Sequence, residues 1–391
     1  MSGRAPILPG ATIGFLGGGQ LGRMTALAAR SMGYEVVVLD PDADCPAGAV
    51  ASRLVTAPFG DAAAAAELAR AADVVTLEIE QIPRASLEAV AALVPLRPGV
   101  EPVFVIQDRG RQKECLRDAG FPVGPFATVT RADDAAAAVG RLGASVVKSC
   151  FGGYDGRGQR RVQAAPDGAA AFDAIGAARC VVEAWLDVAE ELSVLVARRD
   201  DGATAVYPPS RNHHAAGVLA WALTPAGLDA DVECEARLLA RAVAERLGVV
   251  GLLAVEMFRL RDGRLLVNEL APRPHNSYHH SDRSCDTSQF EQLVRAVCGL
   301  PLGSPALTRP AAIANLLGDL WTPGLPDVAA ALGRPGVRLH LYGKRHARPG
   351  RKMGHLSATG DSAREALDAV LDAYDALGGR PIERPAAEIV G

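Results

Sequence analysis

Apolar and polar positions along the chain alternate in two different periods. In the first hundred residues, short near-continuous apolar runs read as buried strands: "TIGFLG" at 12–17, "YEVVVLD" at 34–40 and "DVVTLEIE" at 73–80. Between them, "QLGRMTALAARSMG" (20–33) and "DAAAAAELARAAD" (61–73) carry helical spacing, the second opening on an Asp cap. Strand–helix–strand order of this kind predicts a parallel sheet. The Pro-punctuated "VPLRPGVEP" at 94–102 ends that unit. A smaller α/β unit then runs to about residue 190 and includes "RADDAAAAVGRLG" (131–143), read as another Asp-capped helix. Beyond it, "ELSVLVARRDDGATAVYPPS" (191–210) and "GLLAVEMFRLRDGRLLVNELAP" (251–272) predict hairpins of a mainly antiparallel sheet. More strand and loop follow in "RLHLYGKRHARPGRKMGHLSATG" (338–360), and "SAREALDAVLDAYDAL" (362–377) predicts a closing helix. The expected fold class is α/β passing into α+β, with no internal repeat.

Composition narrows the function. A chain of 391 residues exceeds one ordinary core, and 49% apolar with 22% charged residues is a globular balance. A net charge of −4 without any basic run argues against general nucleic-acid binding. No apolar run approaches the roughly 18 residues of a bilayer span, and "MSGRAPILPGATIGFLGGG" lacks a signal-peptide layout, so no membrane partner is expected. Seven scattered cysteines without a CxxC pair read as reduced thiols of a cytoplasmic protein. Only four lysines (113, 148, 344, 352) stand beside 37 arginines, so a lysine marks a candidate site for a compact ammonium.

Two patterns carry candidate chemistry. Asp262-Gly263 is a type I′ hairpin signal, and with those residues in the turn Arg261 faces Arg264 and Glu256 faces Glu269. Facing carboxylates repel, unless one takes a proton or a cation sits between them. Magnesium suits the second solution, because it keeps several waters and shares phosphate oxygens; two solvated surface glutamates are the alternative. The loop "GGYDGRGQ" (152–159) follows the strand "SVVKS", which carries Lys148. Its glycines expose backbone N–H groups to an anion while leaving the loop able to move. A lysine on a strand, a glycine flap and a carboxylate pair together describe triphosphate handling. The Walker pattern is absent. "GFLGGGQLGRM" fits G-x-G-x-x-G at Gly17, Gly19 and Gly22, with Asp40 where a ribose-binding acid would sit, which keeps a dinucleotide-binding oxidoreductase open. His213, His214, His275, His279 and His280 can be drawn as a zinc cluster, but lack the usual ligand spacing.

The segments "GGGQLGRM…VVVLDPDADCPA", "KSCFGGYDGRGQ", "VNELAPRPHNS", "TSQFEQLVRAVCGLPLG" and "LYGKRHARPGRKMGH" resemble, in order and over nearly the whole chain, the 5-(carboxyamino)imidazole ribonucleotide synthases of the ATP-grasp superfamily. The resemblance implies an ATP-grasp fold behind a Rossmann-like N-terminal domain (1–105). Small and large grasp subdomains (106–190, 191–310) and a β-rich C-terminal part (311–391) follow. It also implies a homodimer, with ATP, bicarbonate and aminoimidazole ribonucleotide as small-molecule substrates and Mg²⁺ as cofactor.

Carried onto this chain, the resemblance gives Arg109 and Lys148 to the phosphates, and Gly153, Tyr154, Asp155, Gly156, Arg157, Gly158 and Gln159 to the covering flap. Glu183, Ala184, Trp185 and Leu186 would form a hinge reading adenine through backbone groups; Glu191 would hold the ribose, with His214 and Asn268 completing the pocket. Glu256 and Glu269 would carry the metal. Arg273 is placed to fork onto carboxyphosphate, Asp155 to orient or deprotonate the amine, and Lys352 to serve the reacting end. Gln20, Glu78, Tyr154, His275, Asn276, Arg351 and Lys352 would face the ribonucleotide. Two departures stand out: Tyr278 replaces a usual Gly, and is expected to obstruct the substrate side or point outward, and "SCF" after Lys148 replaces an often basic stretch. Ser281 also departs from the usual Thr. A sister ligase using formate or an amino acid, and a non-catalytic nucleotide-binding module, are the other readings.

Overall fold

The computed structural model describes residues 5–153, 158–322 and 324–385. The first sheet is parallel, in the order β3 (Arg53–Thr56), β2 (Glu35–Asp40), β1 (Thr12–Leu16), β4 (Val74–Leu77). β3 was not anticipated; its half-exposed "RLVT" lacks the buried apolar run of its neighbours. β4 is shorter than the expected 73–80, so Glu78 and Glu80 lie past its end. Asp61 caps the helix Ala62–Arg70 as expected, accepting the Ala63 and Ala64 amides at 3.0 Å. The helix Ala132–Leu142 differs: Arg131 is its N-cap without a side-chain bond, and Asp133 and Asp134 lie in the first turn, where they favour the helix dipole.

The second sheet has the order β5 (Phe126–Val129), β8 (Cys180–Ala184), β6 (Ser145–Ser149), β7 (Gln159–Val162), all antiparallel, with helices Ala132–Leu142 and Ala165–Ile175 packed on it. The third sheet holds β9 (Val188–Arg198), β10 (Thr204–Val206), β11 (Ser210–Ala215), β12 (Val218–Thr224), β13 (Gly251–Leu260), β14 (Leu265–Ala271), β15 (Ala311–Leu317), β16 (Arg338–Leu341) and β17 (Lys352–Thr359). Its path runs β14-β13-β9-β11-β12-β15-β17-β16, with β10 on β9. The C-terminal strands therefore extend the same sheet that carries the β13–β14 hairpin.

Burial ties these layers together. Ile13, Phe15, Val36 and Val38 of the first sheet share one core with Leu195, Leu252, Tyr278 and Leu293 of the third. Leu116, on the helix Arg109–Asp118, joins the core with Leu192, Val194 and Val267 on the other side of that sheet. Two faces of one sheet thus fix the first domain and the helix that begins at Arg109.

Candidate active site

The β13–β14 hairpin reaches the expected pairing by an unexpected path. Leu260 N–H donates to the Arg264 carbonyl and Gly263 N–H to the Leu260 carbonyl, each at 2.9 Å, so the connection is three residues, with Gly263 at φ +90. The Asp262 side chain accepts the Arg264 amide at 3.1 Å, which stabilises this longer turn. Residues near the turn are consequently paired one position off the type I′ expectation, Arg259 with Leu265 and Met257 with Val267. A bulge at Asn268 restores the register, and Glu256 faces Glu269. The two one-residue departures cancel.

The facing acids are held differently. Glu256 Oε1 lies 3.0 Å from His275 Nε2, and His275 Nδ1 lies 2.8 Å from Ser277 Oγ. Burial pushes the Glu256 pKa up, but the bond from His275 and the charges of His275, His214 and Arg273 outweigh it and hold it below the usual carboxylate range. Both ring nitrogens of His275 are engaged inside the protein, where the ring orients the Glu256 carboxylate. Glu269 Oε1 lies 3.4 Å from Arg109 Nη2. Among the described residues no group of three His, Cys, Asp or Glu side chains forms a metal cage. Two facing carboxylates fit an ion that brings phosphate and water oxygens with it, rather than one caged by protein alone.

Arg109 also gathers the base of the glycine loop. Its guanidinium donates to the Ser149 carbonyl at 3.2 Å and to the Gly153 carbonyl. Ser149 N–H donates to the Gly158 carbonyl at 2.8 Å, and Lys148 pairs with Gln159, so the loop leaves and returns side by side. Tyr154, Asp155, Gly156 and Arg157 lie outside the described residues. Cys150 of the departing "SCF" is buried and Phe151 is exposed.

In the hinge, the Ala184 and Trp185 N–H groups donate to the Pro125 and Ala144 carbonyls at 2.9 and 2.7 Å, which leaves the carbonyls of these residues and Leu186 N–H as the candidate backbone groups for a base. Trp185 is half exposed, with the Arg161 guanidinium 3.7 Å from its ring centroid. The Glu183 side chain turns inward, onto Lys148 at 3.1 Å and Lys113 at 3.0 Å. Sequence reasoning counted Lys113 but gave it no role; its rarity was the available signal. Glu191 and His214 meet at 2.6 Å across β9 and β11. Burial lowers the His214 pKa, but the Glu191 contact and the charges of Glu191 and Glu256 outweigh it and raise it.

The first sheet supplies the opposite wall. Glu78 accepts the Gly19 and Gly22 amides at 2.8 and 2.9 Å, and Asp40 accepts the Gly18 amide at 2.7 Å. A Cβ at Gly19 would run into the Glu78 carboxylate. The helix N-terminus that would bind a dinucleotide phosphate is filled by Glu78, and the acid proposed for a ribose braces the loop, so the oxidoreductase reading is set aside. Burial raises the Glu78 pKa despite those bonds. Gln20 opens that helix, partly exposed. Glu80 grips Arg273 through Nε at 2.6 Å and Nη2 at 3.3 Å, so most of the fork expected for carboxyphosphate is occupied; Glu80 was missed because "LEIE" read as strand.

Asn276 has both amide atoms buried without a hydrogen-bond partner among the described residues, which suits a ligand-facing role. Arg351 donates to the His346 carbonyl at 2.9 Å. Tyr278 neither obstructs the cleft nor points outward. It is fully buried, its hydroxyl 2.8 Å from the Ser193 and Pro208 carbonyls and its ring edge-on to Tyr207. Ser281 is likewise buried and accepts the Gln289 amide at 3.0 Å.

Family comparisons agree with this geometry. The ribonucleotide synthetase preATP-grasp domain matches residues 10–107, the ATP-grasp domain 114–290, and the phosphoribosylaminoimidazole carboxylase C-terminal domain 311–369. The chain is 40% identical over 356 residues to the N5-carboxyaminoimidazole ribonucleotide synthase of Bacillus subtilis, covering 90% of this chain and 92% of the relative. It is 40% identical over 357 residues to the same enzyme of Brucella melitensis, covering 90% and 98%. Among solved structures, an ADP complex of N5-carboxyaminoimidazole ribonucleotide synthetase superimposes with a TM-score of 0.89 at 39% identity, covering 96% of this chain and 99% of that one. An Aspergillus clavatus N5-carboxyaminoimidazole synthase holding ADP and 5-aminoimidazole ribonucleotide gives 0.87 at 32% identity, covering 94% and 98%.

Proposed function

This chain belongs to the N5-carboxyaminoimidazole ribonucleotide synthase family of ATP-grasp enzymes, and we propose that it carries out that family's reaction in purine biosynthesis. ATP and bicarbonate form carboxyphosphate, which N-carboxylates the amine of 5-aminoimidazole ribonucleotide; ADP and phosphate leave. The observation that carries this reading is Glu256 facing Glu269, with Arg109 joining Glu269 to the base of the glycine loop.

Phosphoryl transfer is mostly positioning and charge neutralisation. Arg109 and Lys148 rest on Glu269 and Glu183 and turn to the triphosphate as it enters. Glu256, kept ionised by His275, and Glu269 would hold Mg²⁺, which would supply neutralisation of phosphate charge. Leu186, Glu191, His214 and Asn268 surround the nucleoside. Bicarbonate is a weak nucleophile and carboxyphosphate decomposes in water, so the reaction requires a site from which solvent is kept out. Arg273, held by Glu80 through Nε and Nη2, would reach the carboxyphosphate oxygens through Nη1, which in this structure donates to the Pro274 carbonyl at 3.3 Å. Asn276 and Gln20 face the ribonucleotide, Arg351 and Lys352 its phosphate and reacting end, and Asp155 the amine proton. The seven free cysteines suit a reducing compartment such as the cytoplasm, and the homodimer rests on the family resemblance. Among the described residues no helix is long and apolar enough to cross a membrane.

The test is ADP release with ATP, with and without bicarbonate and the ribonucleotide. Turnover requiring both is expected, with its loss in Glu269→Gln. Formate or an amino acid replacing bicarbonate would point to a sister ligase and overturn the proposal.

A further inference from the structure

The hinge carboxylate Glu183 sits between two ammonium groups of different character. Lys148 Nζ lies 3.1 Å from its Oε1, and Lys113 Nζ lies 3.0 Å from its Oε2. The Lys113 side chain is 5% exposed and Lys148 18%, so Lys113 is enclosed while Lys148 stands on β6 beside the glycine loop. Lys113 Nζ also donates to the Asn268 carbonyl at 3.3 Å, at the bulge that sets Glu269 opposite Glu256.

One carboxylate balances one ammonium, so this trio keeps a surplus positive charge. A phosphate arriving at Lys148 draws that lysine away from Glu183. Were Lys148 the sole partner, its departure would strand a buried carboxylate, at a cost that opposes binding. We infer that Lys113 is a positioning residue for ATP: it is the standing counter-ion of Glu183, frees Lys148 to turn to phosphate, and ties hinge strand β8 to metal strand β14. The inference rests on the assignment of Lys148 to the triphosphate made above. The ionic balance supports it, since burial pushes the Glu183 pKa up but the lysines outweigh burial and hold it at about 2.

Titration calorimetry of ATP on the whole enzyme tests this, with thermal unfolding of each variant alongside. Lys113→Met is expected to raise the ATP Kd at least about tenfold, the loss that follows from breaking a buried pair. KM for the ribonucleotide should stay within about twofold, and Lys113→Arg should recover most ATP affinity. In a Glu183→Gln background, where no carboxylate needs balancing, removal of Lys113 should change the ATP Kd less than about threefold. Equal weakening in both backgrounds, or none in Lys113→Met while Lys148→Met binds poorly, would overturn the inference alone. Unchanged affinity in Lys148→Met would overturn the phosphate assignment and the inference with it. Should Lys113→Met not fold, the Lys113→Met/Glu183→Gln pair against Glu183→Gln decides: similar affinity supports the counter-ion role, and weaker binding overturns it.

Discussion

Arg109 Nη2 stands 3.4 Å from Glu269 Oε1, linking the first residue of the helix Arg109–Asp118 to the hairpin strand β14. The same guanidinium donates to the Ser149 and Gly153 carbonyls, so one side chain joins loop base and carboxylate pair. Arg109→Met is expected to lower kcat/KM for ATP by about a hundredfold, the scale of removing one donor to a developing phosphate charge. Arg109→Lys should recover only part, because a point charge cannot span the three acceptors. Steady-state kinetics with ATP varied check both.

Tyr278 is a core residue, so its replacement acts on stability. Tyr278→Gly removes a fully buried ring and should destabilise the fold by about 3–5 kcal/mol. Tyr278→Phe keeps the ring but leaves the Ser193 and Pro208 carbonyls without their donor, costing about 1–2 kcal/mol. Chemical denaturation measures both. Folded Tyr278→Phe should bind ATP and the ribonucleotide as the parent does, and a selective loss of ribonucleotide affinity would return Tyr278 to the substrate side.

Three histidines stack where the C-terminal strands meet the large sheet: His279 on His355 at 4.7 Å and His355 on His340 at 5.2 Å, between ring centroids. Burial pulls the His355 pKa from 6.5 down to about 3, with neighbouring His340 and His280 adding to the shift, and His279 is lowered as well. A histidine that stays neutral when folded but takes a proton when unfolded stabilises the fold above its unfolded pKa. That stability is lost as pH falls from 6.5 toward about 3, where the unfolded chain binds more protons. Each such histidine should contribute a slope of about 1.4 kcal/mol per pH unit within that window. Denaturation midpoints for the parent and His355→Gln between pH 7 and pH 4 should converge as pH falls; parallel curves would remove His355 from the account.

Much of this was legible before any coordinates. The Glu256–Glu269 pairing followed from strand periodicity and a Gly-bearing turn, although the turn has three residues and a bulge at Asn268 compensates. Lys148 beside a glycine loop could be read because both lie in one continuous stretch. Less legible were the partners that distant segments bring together. Glu80 on Arg273 spans 193 positions of sequence, and Lys113 meets the Asn268 carbonyl across 155. The G-x-G-x-x-G pattern does not mark a dinucleotide site here, because its glycines make room for Glu78, from another strand end, rather than for a cofactor phosphate.

The sequence alone determined the strand–helix alternation of the first sheet, the facing of Glu256 and Glu269 and the residue types able to handle phosphate and a hard cation, because these depend on local periodicity and side-chain chemistry. Tertiary structure alone decided which of those groups meet one another. Glu78, Glu80, His275, Lys113 and Tyr278 are each committed by a neighbour far along the chain. A buried polar group must find its partner wherever packing places one, and that placement is a property of the closed fold.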